Sequence, residues 1–286
     1  MTAPSKYCGQ TVVLATKHGK ERLLGRTFRL ALGATISTPP GIDTDTLGTF
    51  TGEVERIGTP REVAIRKARW GLSVTGEALG LASEGSFGPH PQIPWVASDH
   101  ELLAFVDEER GIEVVEAFLS NETNYAHCSA RKPDELGDFL RRALFPSHAL
   151  IVHPKDGIES GLLIKGIADD KALADAVVQC AQASQDGLAH VETDMRAHVN
   201  PSRQKVIRRA GLLLARRLRS LCPTCETPGW GQTGLEKGLP CESCNAPTAW
   251  VNREIFGCPR CDFTEVRFRS DGRQFADQGY CGFCNP

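Results

Sequence analysis

Short apolar runs closed by polar turns alternate with stretches of helical period through the first 221 residues. Residues 11–15 (TVVLA) are apolar and β-branched, which predicts a buried strand. A polar turn, Thr16-Lys17-His18-Gly19-Lys20-Glu21, leads into a predicted helix over 22–32. Thr59, Pro60 and Glu62 form a capping-box signature for a second helix, which presents Arg66, Lys67 and Arg69. Residues 78–83 read as a short buried strand ending at Glu84-Gly85-Ser86-Phe87-Gly88, and 93–97 as another, just before Asp99. HALIVH (148–153) and SGLLIKGI (160–167) flank the turn sequence Pro154-Lys155-Asp156-Gly157 and predict a hairpin. A helix over 169–184 puts Leu173, Val177, Cys180 and Ala181 on one face.

Residues 189–200 (AHVETDMRAHVN), read as a strand, alternate Glu192, Asp194, Arg196 and His198 onto one face. Asn200 and Pro201 then start a basic helix with seven Lys/Arg and a stripe of Ile207, Leu214, Leu218 and Leu221. These elements predict an α/β domain, a mixed sheet flanked by helices, over residues 1–221. The pattern changes after Leu221: residues 222–286 are loop-rich and carry eight of the eleven cysteines.

Those eight form four Cys-x-x-Cys pairs: Cys222/Cys225, Cys241/Cys244, Cys258/Cys261 and Cys281/Cys284. Gaps of 15 and 19 residues, after Cys225 and Cys261, fit zinc-ribbon spacing. The segment contains no histidine. It therefore predicts a tandem module of two structural Zn2+ ions, each held by four thiolates. Loop lengths favour sequential pairing, first pair with second and third with fourth; the crossed arrangement stays open. The chain opens without a signal-peptide pattern and has no apolar run of membrane length. Reduced thiols in a cytoplasmic protein favour metal over disulfides. The eight aromatics of the module (Trp230, Trp250, Phe256, Phe263, Phe268, Phe275, Tyr280, Phe283) read as core filling, with base stacking as the alternative.

Charge adds little global direction, since the net is −2 over 286 residues. The candidate chemistry is local. A strand, a glycine turn and a helix present backbone N–H groups to an anion. Thr16, Lys17, His18 and Lys20 would surround phosphates there. Glu84 is placed to hold Mg2+ or Mn2+ or to activate water. Asp43, Asp45, Glu53 and Asp99 are candidate partners for it. Glu192, Asp194 and His198 are candidate acid–base or metal groups. Arg196, Arg203, Lys67, Lys155 and Lys165 are candidate anion contacts, and His127 is a further candidate. Salt bridges locking the strand to the helix are the competing reading of the 192–203 cluster. Cys8, Cys128 and Cys180 read as core residues rather than nucleophiles.

The order VVLAT-turn-Gly-Lys, GTF, basic helix and strand-end acid resembles the inosine triphosphate pyrophosphatase and Maf-like superfamily over roughly residues 11–100. In that likeness Thr16 and Lys20 match the triphosphate loop, Lys67 the helix lysine and Glu84 the acid. The loop is one residue shorter than usual, and His18 stands where Asn is usual. The resemblance implies a metal-dependent nucleoside triphosphate pyrophosphatase or phosphohydrolase. The ATKHGKE and ETDMRAH segments, with the CxxC pairs, also resemble an uncharacterised bacterial family, which implies no activity. Two functions follow. The first is binding and hydrolysis of a nucleotide or related phosphate compound. The second is a non-catalytic zinc-ribbon module binding nucleic acid or a protein. Neither involves a membrane.

Overall fold

A computed structural model describes residues 4–40, 57–157 and 161–286. Asp43, Asp45, Glu53, the GTF segment and Ser160 lie outside them. The first sheet is mixed, in the order β2-β1-β3-β4-β5. Its strands are β1 (Thr11–Ala15), β2 (Thr35–Ser37), β3 (Leu79–Pro89), β4 (Ala97–Asp107) and β5 (Ile112–Ser120). β1 runs parallel to β2 and β3, and the β3–β4 and β4–β5 pairs are antiparallel.

Alternation along these strands sorts side chains to two faces. Val12, Leu14, Leu81, Leu103 and Phe105 meet α1 (Glu21–Leu32) and α5 (Pro201–Arg219). Val13, Ala82, Leu102, Ala104 and Val106 meet α2 (Pro60–Thr75). The caps act as the sequence predicts. Thr59 and Glu62 form the capping box of α2, and the Asn200 side chain accepts from the Arg203 amide. Gly211 lets α5 approach α1, because a Cβ there would lie inside contact distance of Leu24. α5 ends at Arg219, so Leu221 falls outside its stripe and is half-exposed.

A second sheet has the order β6-β9-β7-β8, from β6 (His127–Ala130), β7 (Leu150–Pro154), β8 (Ile164–Ile167) and β9 (Ala189–Thr193). One face buries Leu150, Val152, Ala189 and Val191 against α3 (Gly137–Ala143) and α4 (Asp170–Ala183). β7 and β8 pair antiparallel, as the hairpin reading expects. Cys180 is core, Cys128 is half-buried, and Cys8 is exposed, which corrects the reading of Cys8 as a core residue.

Three expected boundaries move. β3 does not stop at Ser83, because β4 pairs with it in register from Leu79–Asp107 to Pro89–Ala97 and satisfies the backbone through the glycines. Glu84 therefore sits in mid-strand, not at a strand end. Residues 93–96 form a turn, and Asp99 lies inside β4. β9 ends at Thr193. Residues 194–196 leave the sheet and 197–199 form a 3-10 turn, so Asp194, Arg196 and His198 do not share a strand face with Glu192.

The C-terminal sheet, β10 (Gly231–Lys237), β11 (Val251–Gly257) and β12 (Thr264–Phe268), is antiparallel in that order. Arg217 of α5 ties it to the first sheet by donating to Gly229 O at 3.1 Å and Glu116 Oε1 at 2.8 Å. Among the described residues, no helix is long and apolar enough to cross a membrane.

Candidate zinc centres and a buried charge cluster

The eight cysteines form two four-thiol groups, but in the crossed order. Cys222 and Cys225 meet Cys258 and Cys261, while Cys241 and Cys244 meet Cys281 and Cys284. Strand pairing explains why loop length misled. Gly231 pairs with Gly257 and Lys237 with Val251. The first and third Cys pairs thus flank one end of the β10–β11 ladder. The chain turns through the second pair at the other end, and β12 carries it back there to the fourth. The pairs repeat a local turn: Glu226 and Asn245, each directly after a second cysteine, both have φ in the left-handed region (55° and 59°).

Close Sγ···Sγ separations are 3.7 Å (Cys222–Cys261), 3.6 Å (Cys225–Cys258), 4.0 Å (Cys241–Cys284) and 3.7 Å (Cys244–Cys281). Four sulfurs about 2.3 Å from a tetrahedral zinc stand roughly 3.8 Å apart, whereas a disulfide is about 2.05 Å long. The thiol groups fit zinc. All four positions would be filled by protein, which makes the ions structural. Trp230 is buried and stacks on Phe263 at 5.4 Å, filling the small core. Phe268, Phe283 and Tyr280 remain exposed.

The second feature lies on β3 and β4. Register places Asp99 opposite Phe87 and Glu101 opposite Gly85, all on the α1/α5 face. Arg203, from the first turn of α5, reaches Glu101 at 2.6 Å and also donates to Met195 O. Gly85 makes room for this pair, since a Cβ there would sit 2.6 Å from Glu101 Oε1 and nearer still to the guanidinium. Lys20, in the turn after β1, is buried and donates to Ser83 O at 3.2 Å and Ser83 Oγ at 2.9 Å. On the α2 face, Lys67 pairs with Glu84 at 2.5 Å, both buried.

Asp99 is wholly buried, and neither carboxylate oxygen has a hydrogen-bond partner among the described residues; Glu101 Oε2 is in the same state. Burial, reinforced by the Glu101 charge, pushes Asp99 up to about 8. Burial, reinforced by Arg203, brings Lys20 down to about 8. Lys20 thus lies near the Arg203–Glu101 pair and near Asp99, whose carboxyl oxygens have no hydrogen-bond partner among the described residues.

The structure brings together Lys20, Glu101, Arg203 and Asp99 directly, with Lys67 and Glu84 close enough to act on Lys20. Thr16 is buried and accepts from the His18 amide at 3.3 Å, while Lys17 is exposed. The His18 ring stacks on His198 at 5.2 Å, which joins the first turn to the 194–200 corner. At that corner Arg196 clasps Asp194 with Nε 3.0 Å from each carboxylate oxygen, and the Gly166 amide donates to Asp194 at 3.2 Å. Asp194 is therefore already satisfied. Glu192 lies apart, on the polar face of the second sheet beside His127 and His153. Lys155 pairs with Asp186 at 3.3 Å. Glu101, His153 and His190 were not among the sequence candidates. Two acids spaced i, i+2 before the apolar run of β4 are the signal that could have found Glu101.

Two grooves, of about 560 and 550 Å³, lie elsewhere. The first is lined by Arg61, Arg69, Glu108 and Thr233, and the second by Phe118, Arg142, Lys205 and Arg209. The first mixes acids and bases, and the second is mainly basic, with Glu122 the one acid in its lining; neither includes a sequence-predicted site residue, so chemistry rather than volume identifies the candidate site.

Fold and sites define a class: a mixed α/β protein that ends in an interleaved double four-cysteine zinc module. The chain belongs to the family described as a domain of unknown function (DUF6671), which matches residues 67–286, beginning inside α2. No curated protein matches it.

Proposed function

We propose that this chain binds a nucleotide or related phosphate compound and hydrolyses it with Mg2+ or Mn2+, on a fold of the inosine triphosphate pyrophosphatase kind, with two structural zincs stabilising the C-terminal module. The observation that supports this is Asp99, a buried carboxyl group whose oxygens have no hydrogen-bond partner among the described residues, beside Glu101 and Lys20. Ionising a buried carboxyl group with no partner costs several kcal/mol, so Asp99 keeps its proton until a cation arrives. A hard divalent cation satisfies it with oxygen ligands, and a phosphate satisfies Lys20. Asp99 and Glu101 would hold the ion, which neutralises phosphate charge when bound.

Thr16, Lys17 and Lys20, at the end of β1, would hold the phosphates, and Arg203 fixes Glu101. Glu84, paired with Lys67 on the opposite face of the sheet, would act on the charge of Lys20 rather than on the ion. The stacked His18 and His198 flank this turn, and the Asp194–Arg196 clasp shapes its far side. The domains of this reading are residues 1–221 and 222–286, and its compartment is the reducing cytoplasm.

The test is turnover of a panel of standard and modified nucleoside triphosphates with Mg2+ or Mn2+, reading pyrophosphate and phosphate separately. Protein carrying two zincs should turn over at least one class, and Asp99→Asn or Lys20→Met should each lower the rate about 10²–10³-fold, the usual scale for losing an electrostatic contact to the transition state. No turnover across the panel, or turnover indifferent to both substitutions, overturns the reading.

One observation favours a second function, partner binding by the zinc module: Phe268, Phe283 and Tyr280 are exposed, and Arg253 lies 5.7 Å from the Phe268 ring. Arg267 and Arg269 are engaged by Glu265 and Asp271, which favours a protein over nucleic acid. A steep salt dependence of single-strand affinity would point to nucleic acid instead.

A further inference from the structure

The polar face of the second sheet gathers three histidines and a carboxylate that neither the zinc module nor the phosphate site requires. His153 on β7 stands opposite His190 on β9, and His127 on β6 stands opposite Glu192, two residues along β9 from His190. Ala189 and Val191 alternate into the core on the other face, so His190 and Glu192 project together. The His127–His190 and His153–His190 ring centroids are 5.2 and 4.9 Å apart.

That spacing has a chemical meaning. Two imidazoles on one tetrahedral ion, with metal–nitrogen distances near 2.1 Å, have ring centres roughly 5 Å apart. His153 supplies an independent sign. Its Nδ1 lies 2.7 Å from the Pro154 carbonyl oxygen, which can only accept, so Nδ1 carries the proton and Nε2 keeps its lone pair. Ligating histidines are oriented by such a bond on the other ring nitrogen.

We propose that His127, His153 and His190, with Glu192, form a site for a borderline divalent transition ion such as Zn2+, Ni2+ or Co2+. Imidazole with one carboxylate suits these ions, and exposed His127 leaves coordination positions for water. Among the described residues, only the two four-cysteine groups already hold their ligand atoms within 4.8 Å of one another. Binding therefore turns the imidazoles inward from their tilted arrangement. Lys165 acts on Glu192 and Lys155 on His190, and both oppose a cation, although Asp186 offsets Lys155 at 3.3 Å. The inference does not rest on the phosphate-site reading.

The test is a Ni2+ titration of the full chain, already loaded with two zincs, near neutral pH, with zinc content measured before and after. One further ion per chain is expected. His190→Ala should weaken it at least about 100-fold, beyond the ~10–100-fold usual for an outer-shell partner. Imidazole NMR of the unsubstituted protein needs no variant to fold. Bound Ni2+ should broaden the His127, His153 and His190 signals and spare His18 and His198. No binding beyond the zincs at large Ni2+ excess overturns the site. So does binding that survives His190→Ala, or broadening confined to the His18–His198 pair.

Discussion

The zinc module and the β3–β4 charge cluster solve the same problem in opposite ways. Both bring polar groups together in small spaces. In the module, short knuckles deliver thiols in pairs, and four sulfurs match one ion's geometry. In the cluster, Lys20, Asp99, Glu101 and Arg203 come from three elements (the turn after β1, β4 and α5), and Asp99 is left outside the Arg203–Glu101 pair. The first is complete once zinc arrives. The second is left with carboxyl oxygens that lack hydrogen-bond partners among the described residues, which is the basis for proposing it as a ligand site.

The largest expected effect is on the module. Structural zinc contributes roughly 10–16 kcal/mol of apparent free energy in small domains, so chelation should unfold residues 222–286. Limited proteolysis will then cut there while residues 4–219 persist. Crossed pairing gives a sharper version. Cys222→Ser with Cys258→Ser should remove one zinc by metal analysis, and Cys222→Ser with Cys241→Ser should remove both. Sequential pairing predicts the reverse.

Next comes the ion pair at the heart of the cluster. Arg203→Met strands Glu101 in the interior and should cost about 3–5 kcal/mol in urea unfolding. Adding Glu101→Leu should recover most of that loss, because the cost is an uncompensated buried charge. No recovery would mean that the pair contributes through packing alone.

A smaller effect appears in the pH dependence of stability. Asp99 ordinarily titrates at 3.8, and folding raises it to about 8. Between those values the native chain holds a proton that the unfolded chain has released, so ligand-free stability falls as pH rises from about 4 to 8. Lys20 works the other way: its value drops from 10.5 to about 8, so its contribution rises with pH across that window. Asp99→Asn should flatten the first slope in thermal melts at a series of pH values and leave the second. The smallest effect is Phe268→Ser, on an exposed ring, which should change stability by less than about 0.5 kcal/mol.

The same contrast explains what the sequence disclosed. The knuckles are local, so their ligands were readable from spacing alone. Which knuckle meets which was not, because the β10–β11–β12 ladder decides it and loop length does not. Lys20, Lys67, Glu84 and Arg203 were visible as single residues. Glu101 was not, since it meets Arg203 across 102 positions of sequence. Glu84 was misplaced to a strand end because Gly85 and Gly88 resemble a turn, and only β4 alongside shows that the strand continues. The histidine row was hidden for the same reason: His127, His153 and His190 share a face only after three strands pair.

The most direct test of the cluster as a cation site is calorimetric titration of the zinc-loaded chain with Mg2+, a hard ion that imidazoles and thiolates do not favour, at several pH values. The account predicts that about one proton is released per ion bound below pH 8, that affinity rises about tenfold per pH unit up to that point, and that Asp99→Asn abolishes both. Mg2+ binding that is independent of pH, or that survives Asp99→Asn unchanged, would contradict it.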